Sequence, residues 1–394
     1  MISIYSGGAT RYGDKLDEFG RRSVIRKRRA RLDLAPNSHD HKEMPPHRRG
    51  TRPERCSTLG ERVPEANSDA GQRGRTGGAV DMQVGTKLTR MAFVLRVLML
   101  GTSWGVALAV PANAQQDGLK IYISADMEGV TGAVTGDQLS PDGFEYQRFR
   151  QFLTDEVNAA IAGAREAGAT EILVSDSHGN GENLLIEQLP EDVQVVRSWP
   201  RPLGMMEGID ATFDGVIFIG YHSSTTNPDG IRAHTTSSAR LSAVRLNGVE
   251  MTEGAFSAAI AGHFGVPVIM ISGDDAAVTE VQAVVGDIEG AIVKWAYSFH
   301  SARTLHPAAG QALIRERVRL AVNRIADGGF TPYTPDAPLR FDVTFKNYRP
   351  TQLLAYLPQI ERIDSHTVRY VGDDMVDIST FYTFMMSYDS NLQP

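Results

Sequence analysis

The sequence predicts an α/β fold: a mainly parallel sheet with helices on both faces, and a smaller α/β lobe at the C-terminal end. Three observations carry this reading. Short, β-branched apolar runs at Leu119–Ile123, Glu171–Ser175, Val193–Val196, Gly215–Gly220 and Val266–Ile271 have the length of buried strands. A stretch with helical apolar spacing separates the first two, and strand, helix, strand is the right-handed unit of a parallel sheet. Carboxylates and histidines gather just after several of these runs, where an open α/β sheet places its ligand crevice.

Taken in order, the first strand ends abruptly in Asp126-Met-Glu128-Gly129. Phe149, Phe152, Leu153, Val157, Ala160, Ile161 and Ala164 then mark an amphipathic helix, and Gly168 is suited to the left-handed residue that ends one. The second strand runs into Asp176-Ser-His178, and the strand at 215–220 into Tyr221-His222. The segment after His222 breaks the rhythm. It holds a loop, the polar stretch around His234, and a hairpin whose Asn247-Gly248 turn joins Leu241–Leu246 to Val249–Met251. Glu253 opens a small-residue helix, and the strand at 266–271 ends in Gly273-Asp-Asp275 before another helix to about Val285. A short strand near Ile292–Lys294 and a long helix from about Ala308 to Ile325 follow, then a Gly- and Pro-rich connector. Strand, helix, strand, helix at 339–345, 350–357, 367–371 and 375–386 complete the chain. This places a metal-binding α/β domain at 115–330 and the smaller lobe at 331–394.

Residues two apart at a strand exit point the same way, so Asp126 and Glu128 can converge on one cation. The plain alternative for an isolated D-x-E is a capping aspartate and a solvated glutamate. His178 and His222 each have the alternative of a hydrogen-bonded core histidine. Glu253 in a first helical turn reads, from pattern alone, as a charge offsetting the helix dipole. Asp274 and Asp275 read as caps, and His263 as a surface or packing residue.

The chain has 394 residues, 42% hydrophobic and 22% charged, enough for a substantial core. Residues 1–90 differ: basic clusters amid Gly, Pro and Ser, without apolar periodicity, read as disordered, a removed extension or a stretch ahead of the true translation start. Lys87 and Arg90 precede a mostly apolar stretch from Val94 to Val110 that closes in Ala112-Asn-Ala114. That is the pattern of a signal peptide at 91–114, with translation starting at Met82 or Met91 and a periplasmic or secreted chain from Gln115. The apolar run is too short and broken for stable membrane insertion. Cys56, the single cysteine, lies before it, so disulfides, thiolate ligands and a cysteine nucleophile are excluded from the mature chain. The net charge of −7 includes the basic leader, so the mature part is more acidic still and nucleic acid is excluded as a partner.

Ser124-Ala-Asp126-Met-Glu128-Gly129 resembles the S-x-D-x-E-G signature of the D-aminopeptidase family of dizinc metallopeptidases, peptidase family M55. Asp176-Ser-His178, Gly220-Tyr-His222, the His234 segment, Glu253 and Gly273-Asp-Asp275 occur in the same order, so the resemblance spans Lys120 to about Met386. It implies two Zn²⁺ ions held by Asp126, Glu128, His178, His222 and Glu253, with Asp126 shared, and His234 as the unligated histidine acting beside them. It further implies a metal-bridged hydroxide attacking short peptides with an N-terminal D-residue, and a ring-like decamer. Three carboxylates offset the repulsion between two cations, and neutral imidazoles complete borderline-soft shells. The competing readings are an exported α/β solute- or metal-binding protein without catalysis, and a metallophosphoesterase. Sequencing the exported protein is expected to give Gln115 as its first residue; a start upstream of Met82 contradicts the signal-peptide reading.

Overall fold

A computed structural model describes residues 118–388. The leader to residue 90, Cys56, the signal segment at 91–114 and its cleavage site lie outside the described residues. In chain order the elements are β1 (Leu119–Ala125), α1 (Gly136–Leu139), α2 (Tyr146–Glu166), β2 (Ala169–Asp176), β3 (Gln194–Val196) and β4 (Gly215–Tyr221). There follow β5 (Leu241–Leu246), β6 (Val249–Glu250), α3 (Glu253–His263), β7 (Val268–Asp274), α4 (Asp275–Val285), β8 (Glu289–Ser298) and β9 (Ser301–Thr304). The remainder comprises α5 (Pro307–Ile325), β10 (Leu339–Phe345), α6 (Tyr348–Leu354), β11 (Ile360–Arg362), β12 (Thr367–Gly372) and α7 (Met375–Ser387).

The large sheet has the order β3-β2-β1-β4-β7-β8-β9, parallel throughout except for β9, which pairs antiparallel with β8 at the edge. Its central strands β1, β4 and β7 are buried on both faces, as a covered parallel sheet requires. Alternation sorts them: Ile121, Ile123, Ile217 and Ile219 pack against α2 and α5. Tyr122, Val216 and Phe218 face the opposite way, toward α3, α4 and the small sheet. Helix α3 is buried almost all round, which its run of Gly, Ala and Ser permits between two layers.

The second sheet, β11-β12-β10-β5-β6, is antiparallel. It departs from the expected boundary at residue 330, because β10 pairs with β5 of the earlier hairpin, Phe341 opposite Leu246 and Val343 opposite Val244. Hydrophobic periodicity marks each strand but is silent on a partner about a hundred residues away. The hairpin turn is as expected, with Asn247 and Gly248 both at positive φ (52° and 83°). The strand near 292–294 runs longer than expected and turns back as β9, and β11 and α1 are short elements without a periodic signal.

Beyond its last strand residue, the exit of β1 is pressed against that of β4. Asp126 N donates to Ile219 O (2.8 Å) and Gly129 N to Gly220 O (2.6 Å). A Cβ on Gly129 would stand 2.1 Å from Tyr221 O, and one on Gly220 would stand 2.2 Å from Asp126 O. Gly220 also has φ +72°, where an L side chain is disfavoured. The β4 ladder to β7 is irregular here, and Ser272 Oγ accepts from the Gly220 amide (2.9 Å). Gly220→Ala is expected to cost at least about 1–2 kcal/mol from backbone strain alone, plus the displacement of Asp126. Urea unfolding measures this, and wild-type stability contradicts it.

Candidate metal centre

Strand exits deliver the first four candidate side chains. Asp126 and Glu128 follow β1, His178 follows β2 and His222 follows β4; all four are buried. Glu253 is the first residue of α3, whose cap Thr252 accepts from Ala255 N (2.8 Å). His234 arrives on a loop pinned along its length: Arg232 N donates to Phe299 O, His234 N to Ser223 O and Thr235 Oγ1 to Met251 O, at 3.0–3.1 Å. Two non-glycine residues in this loop, Arg232 and Thr236, sit at positive φ (56° and 60°), strain that these anchors over-determine.

The six side chains converge as two adjoining groups, Asp126 with Glu128 and His178, and His222 with His234 and Glu253; within each, the candidate ligand atoms lie within 4.8 Å of one another. His178 Nδ1 lies 3.2 Å from Asp126 Oδ1 and 2.8 Å from Glu128 Oε2. His222 Nε2 lies 3.4 Å from Asp126 Oδ2 and 3.3 Å from Glu253 Oε1, so Asp126 faces both groups. His234 Nε2 stands 4.0 Å from Glu128 Oε1 and 3.9 Å from Glu253 Oε1, and its ring stacks on that of His222 at 4.1 Å.

Each histidine is oriented through its other nitrogen. His178 Nε2 donates to Leu139 O (2.8 Å), His222 Nδ1 to Ser223 O (3.0 Å) and His234 Nδ1 to Arg232 O (2.7 Å). A backbone carbonyl accepting from one ring nitrogen fixes that N–H and turns the other nitrogen toward the carboxylates, where once deprotonated it can give its lone pair to a cation, the arrangement of metal-ligating histidine. Asp126 Oδ2 and His222 Nε2 are buried without a hydrogen-bond partner. Such orphaned atoms, in an oxygen-and-imidazole donor set, fit a borderline cation such as Zn²⁺.

Electrostatics point the same way. Burial and the neighbouring Glu128 push Asp126 up to about 7. Burial also acts on Glu128 and Glu253, but His178 and His222 respectively outweigh it and hold both below the usual carboxylate range. Burial opposes charge on His178 and His222 too, yet Glu128 raises the first well above the ordinary imidazole value and Glu253 raises the second to about 10. In His234, burial and the adjacent His222 lower the pKa, so it stays neutral.

The centre opens on a cavity of about 530 Å³, of the size that encloses a small ligand. His234 and Glu253 reach its wall, which continues through Met205, Phe256, Ile260 and Tyr382 of α7. Asp274 stays apart, capping α4 through Ala277 N (2.7 Å) and accepting from Ile231 N (2.8 Å). Several supporting residues escaped the sequence reading. Asp176 accepts from Asn183 and Leu184 amides, and Asn183 Nδ2 donates to His178 O, closing the His178 loop. Thr236 N donates to Glu253 Oε1 (2.6 Å). Lys294, fully buried on β8, donates to carbonyls of the Glu128–Ala133 turn. Only a charged residue within an otherwise apolar strand hinted at Lys294; the other contacts depend on loop conformation.

Comparison with known proteins bears on this geometry. A family model described as D-aminopeptidase, peptidase family M55, matches residues 119–384. A D-aminopeptidase of Bacillus subtilis (strain 168) is 32% identical over 264 residues, covering 66% of this chain and 93% of that protein. The solved structure of the Zn-dependent D-aminopeptidase DppA from Bacillus subtilis, described as a self-compartmentalizing protease, superposes with a TM-score of 0.65 at 29% identity, over 69% of this chain and 99% of that one.

Since His178 and His222 hold protons at neutral pH in the metal-free protein, a cation must expel them. Zinc affinity is therefore expected to rise with pH, roughly tenfold per unit for each proton released. Chelator competition at several pH values tests this, and a pH-independent affinity contradicts it.

Proposed function

Because the chain belongs to the D-aminopeptidase family of metallopeptidases, peptidase family M55, we propose that it is a two-zinc aminopeptidase releasing N-terminal D-residues from short peptides in this cavity. The observation that carries the reading is the pair of donor groups facing Asp126, with Asp126 Oδ2 and His222 Nε2 buried without a hydrogen bond, beside a substrate-sized cavity lined by Asp126, Glu128, His178, His234 and Glu253. Asp126, Glu128, His178, His222 and Glu253 would hold the ions, which when bound polarise the scissile carbonyl and make water acidic enough to act as nucleophile.

The residues of the chain do the rest. Water oxygen adds to the carbonyl carbon, the C–N bond breaks, and the departing amine takes a proton. His234 carries that proton in this reading, supported by Nδ1 being committed to Arg232 O and Nε2 being a neutral acceptor at the cavity wall. Nε2 accepts a proton as water attacks, hydrogen-bonds the oxyanion through it, and passes it to the leaving amine as the C–N bond breaks. Met205, Phe256 and Ile260 offer an apolar wall for a small side chain and limit water around the reacting carbonyl.

The signal-like segment before Gln115 supports a periplasmic or secreted setting, where fragments of cell-wall origin supply D-residues. The description of the solved relative as self-compartmentalizing supports a homo-oligomer, with a decamer implied by the family resemblance.

The chain from Gln115 is expected to hydrolyse D-alanyl amides well above L-alanyl amides, and equal rates or no turnover would refute the assignment. His234→Ala is expected to keep its zinc while kcat falls about 10²–10⁴-fold; loss of metal in that variant would make His234 a ligand instead. Asp126→Ala is expected to lose both zinc and activity, and a zinc-loaded, active variant contradicts its shared position.

A further inference from the structure

The turn that carries Asp126 and Glu128 is held from beneath by a buried cation and a buried acid that do not reach the cavity. Lys294 is 0% exposed, and its ammonium has three N–H donors. All three go to one short turn: Glu128 O, Val130 O (3.2 Å) and Ala133 O (2.6 Å). Glu156 of α2, 1% exposed, reaches the same turn and accepts from Thr131 N (2.9 Å) through Oε1. Glu156 Oε2 has no hydrogen-bond partner. The charged groups around the ammonium are Asp274, Glu156, Glu128 and Asp126, and none of them forms an ion pair with it within 4.0 Å among the described residues. A buried, unpaired ammonium is costly to desolvate, so one spent wholly on the carbonyls of a single turn has a narrow purpose.

Resting on the two-zinc reading, we propose that Lys294 is a positioning residue of the metal centre: by gathering the carbonyls of Glu128, Val130 and Ala133 it fixes the aim of the Glu128 carboxylate, which belongs to one donor group alone. It thereby sets the affinity of the Asp126–Glu128–His178 group for its ion. The second group draws His222, His234 and Glu253 from the β4 exit, the strained loop and α3, none of which Lys294 touches. The two ions should therefore respond differently. Glu156 holds the same turn through the Thr131 amide, so the turn has both a buried acceptor and a buried donor fixing its backbone.

The test compares full-length wild type with Lys294→Met, which keeps the stem and removes the ammonium, and Lys294→Gln, which keeps two donors without the charge. Zinc affinities of both ions are measured by chelator competition, and apo-protein melting temperatures alongside. In Lys294→Met one ion is expected to bind about 10–100-fold more weakly, as loss of an outer partner of a ligand does, while the other keeps its wild-type affinity. Lys294→Gln is expected to show a smaller loss at the same ion, and it decides the matter if the methionine variant does not fold. Wild-type affinity for both ions in either folded variant overturns the proposal, as does parallel weakening of both ions in step with a fall in melting temperature. A wild type that binds no zinc would instead overturn the two-zinc reading itself.

Discussion

Three carboxylates and three imidazoles brought together in a largely water-excluded pocket constitute the constraint on which this structure depends. Without a cation, the cluster compensates by binding protons, which is why His178 and His222 are driven above the usual imidazole range while Asp126 rises to about 7. With cations, the same lone pairs have a better use, and the backbone carbonyls behind each histidine already select the required tautomer. The geometry is costly in both backbone and packing terms. It needs glycine at 129 and 220, left-handed residues on either side of His234, and a buried ammonium under Glu128.

The fold distributes this cost over elements that are otherwise ordinary. Parallel strands deliver four side chains to one edge, as their common direction dictates. Helix α3, threaded between the two sheets, brings Glu253 to the same place, and the small sheet and α7 close the far side of the cavity. Tyr382 of α7 donates to Thr236 Oγ1 (2.8 Å), and the Thr236 amide holds Glu253, so the C-terminal helix is tied to the metal centre through a single loop residue. That link makes the late segment part of the site rather than an appendage.

Much of the arrangement was legible in the sequence because strands, their exits and the residues on them are local features. Asp126, Glu128, His178 and His222 follow apolar runs, and the topology makes those exits neighbours. Glu253 was harder: in a first helical turn it looks like a dipole charge, and its true surroundings come from the 232–236 loop, whose conformation no periodicity encodes. In the sequence Lys294 is one more strand residue, since alternation gives the face but not the carbonyls waiting there. The pairing of β10 with β5 was invisible for a related reason, as long-range partners leave no trace in a local pattern. Resemblance to a known family supplied the grouping of these residues into one centre, and the geometry gave it physical content.

Anomalous diffraction at the zinc edge, from crystals of the chain beginning at Gln115 and loaded with zinc, tests the central claim most directly. The account predicts two peaks about 3.5–4 Å apart, one bounded by Asp126, Glu128 and His178 and the other by His222 and Glu253, with Asp126 between them. A single peak, or density away from these side chains, would contradict it.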